Sequence, residues 1–256
     1  MTKLSFPVSQ SLFQKYQDFW IKYYFKYVLP KVHKTSLEGI VLDLTELPLK
    51  IRNRILNVGY EEHEKQMCRD FLTSEDSVVE VGGAIGFIGL YCQKRLGIKN
   101  YLTVEANPAT VNILKKNYAL NHVTPNVLNV ALGQEEGTID LDIGNDFWEN
   151  SVVMAASADR SKTIKVKSVP LPTLLQLAAR PPNVLIIDIE GAEKFIDFSM
   201  LPNSIDKIII ELHPGVLGQA ATYDIVSTLI HAGFKVAREE GDTFAFLRKS
   251  PDRKVS

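Results

Sequence analysis

The sequence predicts an α/β protein: a doubly wound, mostly parallel sheet that ends in an antiparallel hairpin. Three observations carry that reading. From residue 60 onward short runs of branched apolar residues alternate with helical patterns, each run is followed by a polar or glycine-containing turn, and the last two runs are joined by too few residues for a parallel crossover. Parallel strands buried on both faces read as continuous apolar runs, and right-handed crossovers place helices over both faces.

Taken in order, residues 11–32 form an aromatic and basic helical pattern. Phe13, Tyr16, Trp20, Tyr24 and Tyr27 recur at steps of three and four with Lys15, Lys22 and Lys26 at the edges, until Pro30 ends the run. The plainer expectation is a helix whose aromatics pack on the main domain; a substrate lid, a dimer surface and a membrane-surface helix are the functional alternatives. Residues 39–57 hold two short runs divided by Pro48, which suits a strand pair. Residues 60–72 have helical spacing. The core strands are expected at 77–81, 101–105, 127–131, 184–189 and 207–212, with helices at 87–96, 108–120 and 222–232 between them. Asn107 is placed to cap the second of these helices, Pro108 stands in its first turn, and Gly97 and Gly233 stop the first and third. The hairpin is expected from 234–237 and 243–247. Residues 138–169 form an irregular excursion with edge strands at 138–143 and 163–169. The domain reading is therefore an N-terminal extension over 1–59, one main domain over 60–250 and a tail over 251–256.

Composition narrows the class of function. A chain of 256 residues with 45% hydrophobic and 23% charged residues can build a sizeable core. Lys plus Arg number 29 against 30 for Asp plus Glu, a net charge of −1, so no global field draws polyphosphate and no nucleic-acid partner is expected. Two cysteines without a metal-type spacing, the absence of a leader pattern and the absence of an apolar run long enough to span a membrane point to the cytoplasm. The aromatic helix leaves a homo-oligomer open.

The chemistry concentrates at the predicted carboxyl ends of the strands. Glu80 to Gly86 read Glu-Val-Gly-Gly-Ala-Ile-Gly, a strand running through glycines into a helix. Such a turn lets a nucleoside-type ligand approach the backbone at Gly82 and Gly83, while Gly86 lets the next helix pack closely. An ordinary tight turn would look similar, but Glu105 stands 25 residues after Glu80, at the end of the second strand, where a carboxylate accepts hydrogen bonds from ribose hydroxyls. Gly-Gly-x-x-Gly with a preceding acid disfavours a pyrophosphate and suits a ligand carrying a positive amino or sulfonium group.

These segments together, EVGGAIG from Glu80, VEANP from Val104, VALG from Val130, LIIDIEGAE from Leu185 and ELH from Glu211, resemble the successive signatures of the FkbM-type S-adenosylmethionine-dependent methyltransferases. The resemblance covers about residues 60–247, and the block from Ile187 is its most specific part. It implies a class I, Rossmann-like methyltransferase fold, with Glu80, Gly82, Gly83 and Gly86 around the methionine part of the cofactor, Glu105 on its ribose and Ala131 and Leu132 at its adenine. It also implies O-methylation of a sugar or natural-product alcohol. Glu80 stands where that motif commonly opens with Asp, and Ile186 where a Lys is common.

Asp188 and Glu190 are two apart at a strand end and face one side if the strand persists, with Glu193 on the next turn; Glu211 and His213 repeat the spacing on the following strand. Acids at a helix start can be there for the dipole alone. Asp188, Glu190 and His213 are nonetheless the candidate catalytic residues, Asp188 also forming cofactor wall, with His213 ranked just ahead of Asp188 as the base. Asp188, Glu190, Glu211 and His213 could hold a divalent ion, but no dense ligand motif demands one, so no metal is expected. The expected partners are the cofactor and a small hydroxyl acceptor. A catalytically silent cofactor-binding relative that docks a protein partner, and an NAD-dependent oxidoreductase, are the alternatives.

Overall fold

The structure, a computed structural model, describes residues 20–57, 59–142 and 163–248. Phe13 and Tyr16 of the aromatic pattern and the end of the expected strand at Ile143 lie outside these residues.

The central sheet has seven strands. In chain order they are β3 (Ser77–Val81), β4 (Asn100–Val104), β5 (Val127–Leu128), β9 (Val184–Ile187), β10 (Lys207–Glu211), β11 (Phe234–Glu240) and β12 (Thr243–Arg248). In space they run β11-β12-β10-β9-β3-β4-β5, parallel from β10 to β5 and antiparallel where β12 joins β10 and β11 joins β12. The predicted sheet and its closing hairpin are both present. Alternate strand residues feed two separate cores: Val78, Ile186 and Ile209 face one, and Val79, Leu185, Ile187, Ile208 and Ile210 face the other. This two-sided burial is why the strands read as unbroken apolar runs.

Helices α2 (Glu62–Phe71), α3 (Phe87–Lys94) and α4 (Pro108–Leu120) cover the first face, through residues such as Met67, Leu90 and Tyr118. Helices α5 (Leu171–Gln176) and α6 (Gln219–His231) cover the second, through Leu174, Ile225 and Leu229. The side chain of Asn107 caps α4 as expected, accepting the Ala109 N–H at 2.9 Å.

Four local expectations are corrected. The segment after Pro48 is a helix, α1 (Leu49–Asn57), and the strand pair lies before it as β1 (Lys34–Leu37) and β2 (Ile40–Asp43). Pro48 therefore marks a helix start, where its missing N–H costs nothing. The run at 127–131 splits, because β5 ends at Leu128 and β6 (Ala131–Leu132) leaves the central sheet to pair with β8 (Thr163–Val169), itself paired with β7 (Gly137–Asp142). The excursion is thus a small separate sheet and not an added edge. The strand expected at 184–189 stops at Ile187, and Glu190 has a positive φ of 50°. Finally, of the described residues of the aromatic stripe Trp20 and Tyr27 are exposed, Tyr24 is half-buried with its hydroxyl accepting from Asn57 of α1 at 2.9 Å, and Leu29 is the buried anchor.

The strand pair and α1 share the first core through Ile40, Leu42, Leu44, Leu47 and Ile55. Two buried asparagines, Asn117 of α4 and Asn121 at its C-terminal cap, dock β2. Asn117 accepts the Asp43 N–H at 2.8 Å, and Asn121 both accepts the Val41 N–H at 3.0 Å and donates to the Val41 carbonyl at 2.7 Å. Asn117 also donates to the Ile85 carbonyl at 2.8 Å, which ties this extension to the glycine turn.

Candidate active site

The strand order reverses between β3 and β9, so their carboxyl ends open side by side at the switch point where ligands bind in open α/β sheets. A cleft of about 710 Å³, open to solvent, lies there. Gly82, Ala84, Glu105, Ala131, Leu132, Asp188 and Glu190 are among the residues that line it. Glu80, Gly83, Gly86, Glu211 and His213 are not part of its wall.

The glycine turn is built against the protein's own backbone. Gly82 has φ +96°, and a Cβ there would stand 1.6 Å from the Asp188 carbonyl oxygen; at Gly83 it would stand 2.1 Å from Thr103 Cγ2. The amides of both residues donate to the Val104 carbonyl, at 2.9 and 3.1 Å. At Gly86 the crowding comes from Tyr118 and Leu114 of α4, not from a strand. Glu80 is 3% exposed beneath the turn, where its Oε2 accepts from Thr103 Oγ1 at 2.9 Å. Burial pushes its carboxyl up to about 7, against the hydrogen bond from Thr103.

Glu105 closes one end of the cleft. Its Oε2 accepts the Ala84 N–H at 3.1 Å and its Oε1 the Asn107 N–H at 2.8 Å, so the carboxylate is fixed from both sides. Ala84 takes a positive φ of 42° as it makes this bond. Burial raises Glu105 to about 7, opposed by the two amides.

At the other end His213 gathers carboxylates from three segments. Its Nδ1 lies 3.0 Å from Glu193 Oε1, and its Nε2 lies 3.3 Å from Glu190 Oε2, 3.6 Å from Asp188 Oδ1 and 3.9 Å from Glu211 Oε1. Asp188 and Glu190 come together because the chain turns after β9, with the Asp188 N–H held by the Val81 carbonyl at 2.9 Å, and not because a strand persists. Burial, then the Glu190 charge, raises Asp188 well above the carboxylate range. Burial and the charge of Asp188 push Glu211 up to about 8. Burial tends to lower His213, but its bond to Glu193 and the charges of Asp188 and Glu190 outweigh that and push it up to about 9.

Two acids escaped the sequence reading. Glu64 of α2 accepts from Thr243 Oγ1 at 2.8 Å and its charge acts on Asp188 and Glu211. Glu61, just before α2, is pushed up to about 8 by burial and by Glu64, Glu80 and Glu211, against a hydrogen bond with Tyr60. The available signal was Glu61 and Glu64 one turn apart at a helix start, which also describes an ordinary dipole-favoured first turn. Glu193, on the turn after Asp188 and Glu190, has its side chain wholly buried behind the imidazole.

Residues 80–236 match the family model described as the methyltransferase FkbM domain. No curated protein matches the chain. Among solved structures it is similar to the ribosomal protein L11 methylase of Lactobacillus delbrueckii subsp. bulgaricus, with 14% identity, a TM-score of 0.43 and coverage of 73% of this chain and 79% of that one. It is also similar to M. jannaschii TYW2 in complex with AdoMet, with 12% identity, a TM-score of 0.42 and coverage of 86% and 88%. Precorrin-6y C5,15-methyltransferase of Geobacter metallireducens GS-15 shares 9% identity at a TM-score of 0.43 over 86% of this chain and 97% of that one. A switch-point cleft in a mostly parallel sheet, matched from the glycine turn to β11 by a methyltransferase model, defines a class I, S-adenosylmethionine-dependent methyltransferase. Within that class, the chain belongs to the FkbM methyltransferase family. The nicotinamide oxidoreductase alternative is thereby set aside. No described helix is long and apolar enough to cross a membrane.

Proposed function

We propose that this methyltransferase acts on a hydroxyl of a small sugar or natural-product molecule, with the cofactor lying from Glu105 to Asp188 and the acceptor entering beside His213. The observation that carries the reading is a cleft with a fixed carboxylate at one end and, at the other, Asp188 and Glu190 of the carboxylate–imidazole cluster. Glu105 keeps lone pairs for the two ribose hydroxyls, while Ala131 and Leu132 offer an apolar wall for adenine. Gly82 and Ala84 line the methionine part, and Glu80, Gly83 and Gly86 support it from beneath by shaping the turn.

Methyl transfer is an in-line displacement: the acceptor oxygen forms a bond to the methyl carbon as the carbon–sulfur bond breaks, and S-adenosylhomocysteine leaves. Alignment supplies most of the rate. The hydroxyl proton passes to the cluster of Asp188, Glu190, Glu211 and His213.

Calorimetric titration with S-adenosylhomocysteine tests the cofactor half. Glu105→Ala should weaken binding by about 1.5–3 kcal/mol, the scale of hydrogen bonds to a charged group. His213→Ala should retain that affinity and lower methyl transfer to a hydroxyl acceptor by roughly 10²–10⁴. Unchanged affinity in a folded Glu105→Ala protein would remove the ribose assignment.

A further inference from the structure

We infer that Asp188, Glu211 and His213 form a divalent-cation site of the Mn²⁺ type at the acceptor end of the cleft. One ligand atom from each lies within 4.8 Å of the other two. Metal–ligand bonds of roughly 2.0–2.2 Å put neighbouring ligand atoms about 3.0–3.6 Å apart. Nε2 of His213 stands 3.6 Å from Asp188 Oδ1 and 3.9 Å from Glu211 Oε1, so both carboxylates are already near ligand spacing from the imidazole. Glu190 Oε2, at 3.3 Å from Nε2, borders it.

Two features beyond proximity point to a cation. The first is behind the imidazole. Glu193, with no exposed side-chain surface, lies 3.0 Å from Nδ1, which fixes the ring and turns Nε2 toward the carboxylates. A carboxylate that orients a histidine from its far nitrogen is the arrangement that supports metal ligation. The second is Asp188 Oδ1, which is enclosed, has no hydrogen-bond partner and faces Nε2. An enclosed carboxylate oxygen left without a partner is costly, and a cation satisfies it.

Charge balance leads the same way. Among the described residues no lysine or arginine pairs with Asp188, Glu193 or Glu211. Among the described residues one imidazole proton, on Nε2, therefore faces Asp188 and Glu211, and neither lies within hydrogen-bond range of it. A divalent ion replaces that proton and adds charge. Mixed imidazole and carboxylate donors suit Mn²⁺ better than Ca²⁺, which takes oxygen ligands in larger number. A hydroxyl acceptor bound to the ion as an oxygen ligand would be aligned and more acidic; this role rests on the proposed methyl transfer, whereas binding of the ion does not.

Mn²⁺ alone, titrated into the full chain and followed by electron paramagnetic resonance, tests the site. The expected result is one bound ion per chain, with a nitrogen coupling from His213 in the pulsed spectrum. Glu193→Gln, which keeps shape and touches no ion, should weaken binding by roughly 10–100-fold. Asp188→Asn and His213→Ala should weaken it further, and the nitrogen coupling should vanish in the latter. Absence of saturable binding at millimolar Mn²⁺, or binding that survives His213→Ala unchanged, overturns the site. S-adenosylhomocysteine titrated in parallel separates the two readings: cofactor binding without Mn²⁺ binding sinks the cation alone, and Mn²⁺ binding without cofactor binding sinks the methyl-transfer placement and leaves the cation standing.

Discussion

An added methyl at Gly82 meets the Asp188 carbonyl oxygen at 1.6 Å, on a backbone whose φ of +96° side-chain-bearing residues avoid. Gly82→Ala should therefore cost roughly 3 kcal/mol or more, from backbone strain and overpacking together, and denaturant unfolding would read it as a lower midpoint with an unchanged slope. The sequence shows that glycine is needed there without showing why. The pattern suggests room for a ligand, while the structure attaches Gly82 to Asp188 and Gly83 to Thr103 of the same chain. Glu80 teaches a related lesson, because a motif acid read from sequence as a cofactor contact lies buried on Thr103. Glu80→Gln is expected to change S-adenosylhomocysteine affinity much less than Glu105→Ala. Equal losses in the two variants would return Glu80 to direct cofactor contact.

Helix α1 shows what an element needs that a local pattern cannot supply. Its Arg52 is 8% exposed, and the guanidinium donates to the carbonyls of Leu47, Thr45, Pro30 and Val32 at 2.7–3.3 Å, closing the connection between β2 and α1 and the chain before β1. Arg52→Ala strands those carbonyls and should lower stability by about 2–4 kcal/mol, read as a lower thermal midpoint; a loss within 0.5 kcal/mol would mean that water replaces the guanidinium without penalty. Reading the segment after Pro48 as a strand failed because Leu49, Ile51 and Ile55 fit both periods over so short a run. Longer elements were legible. Helix α4 runs over the residues expected, since Asn107, Pro108 and a three-turn apolar pattern agree, and the C-terminal hairpin follows from the short spacing between its strands. What escaped was contact between distant segments, such as Asn117 and Asn121 gripping β2 across more than 70 residues, because two polar residues one turn apart on a helix look like a solvated face.

Across the whole molecule the sheet was readable because each strand is buried on both faces, whereas the site was readable only where it lies in motifs. Glu105, Asp188 and His213 sit in such motifs; Glu61, just before α2, and Glu64 within it reach the same cluster through the packing of α2 against β10. The outcome is a fold that encloses more acid than it neutralises, and stability should record it. Glu80 and Glu105 are raised from 4.5 to about 7 and Glu61 to about 8, each chiefly by burial. An acid with a raised native pKa binds more protons folded than unfolded between the two values, so its contribution to stability falls as pH climbs from about 4.5 to about 7 or 8. At about 1.4 kcal/mol per unit, Glu80 alone accounts for about 3 kcal/mol of that fall. Asp76 works in the opposite sense. Although burial tends to raise it, hydrogen bonds from Lys207, Asn183 and Thr73 hold it below 3.8, so its stabilisation is complete above that value and is lost as pH falls through the depressed one. The thermal midpoint of the cofactor-free protein should consequently peak near pH 5, decline steadily toward pH 8, and decline less in Glu80→Gln. A midpoint that is flat or rising from pH 5 to 8 by circular dichroism would show that these acids ionise in the folded protein without penalty, and that the acidic end of the cleft is far better solvated than its enclosed oxygens imply.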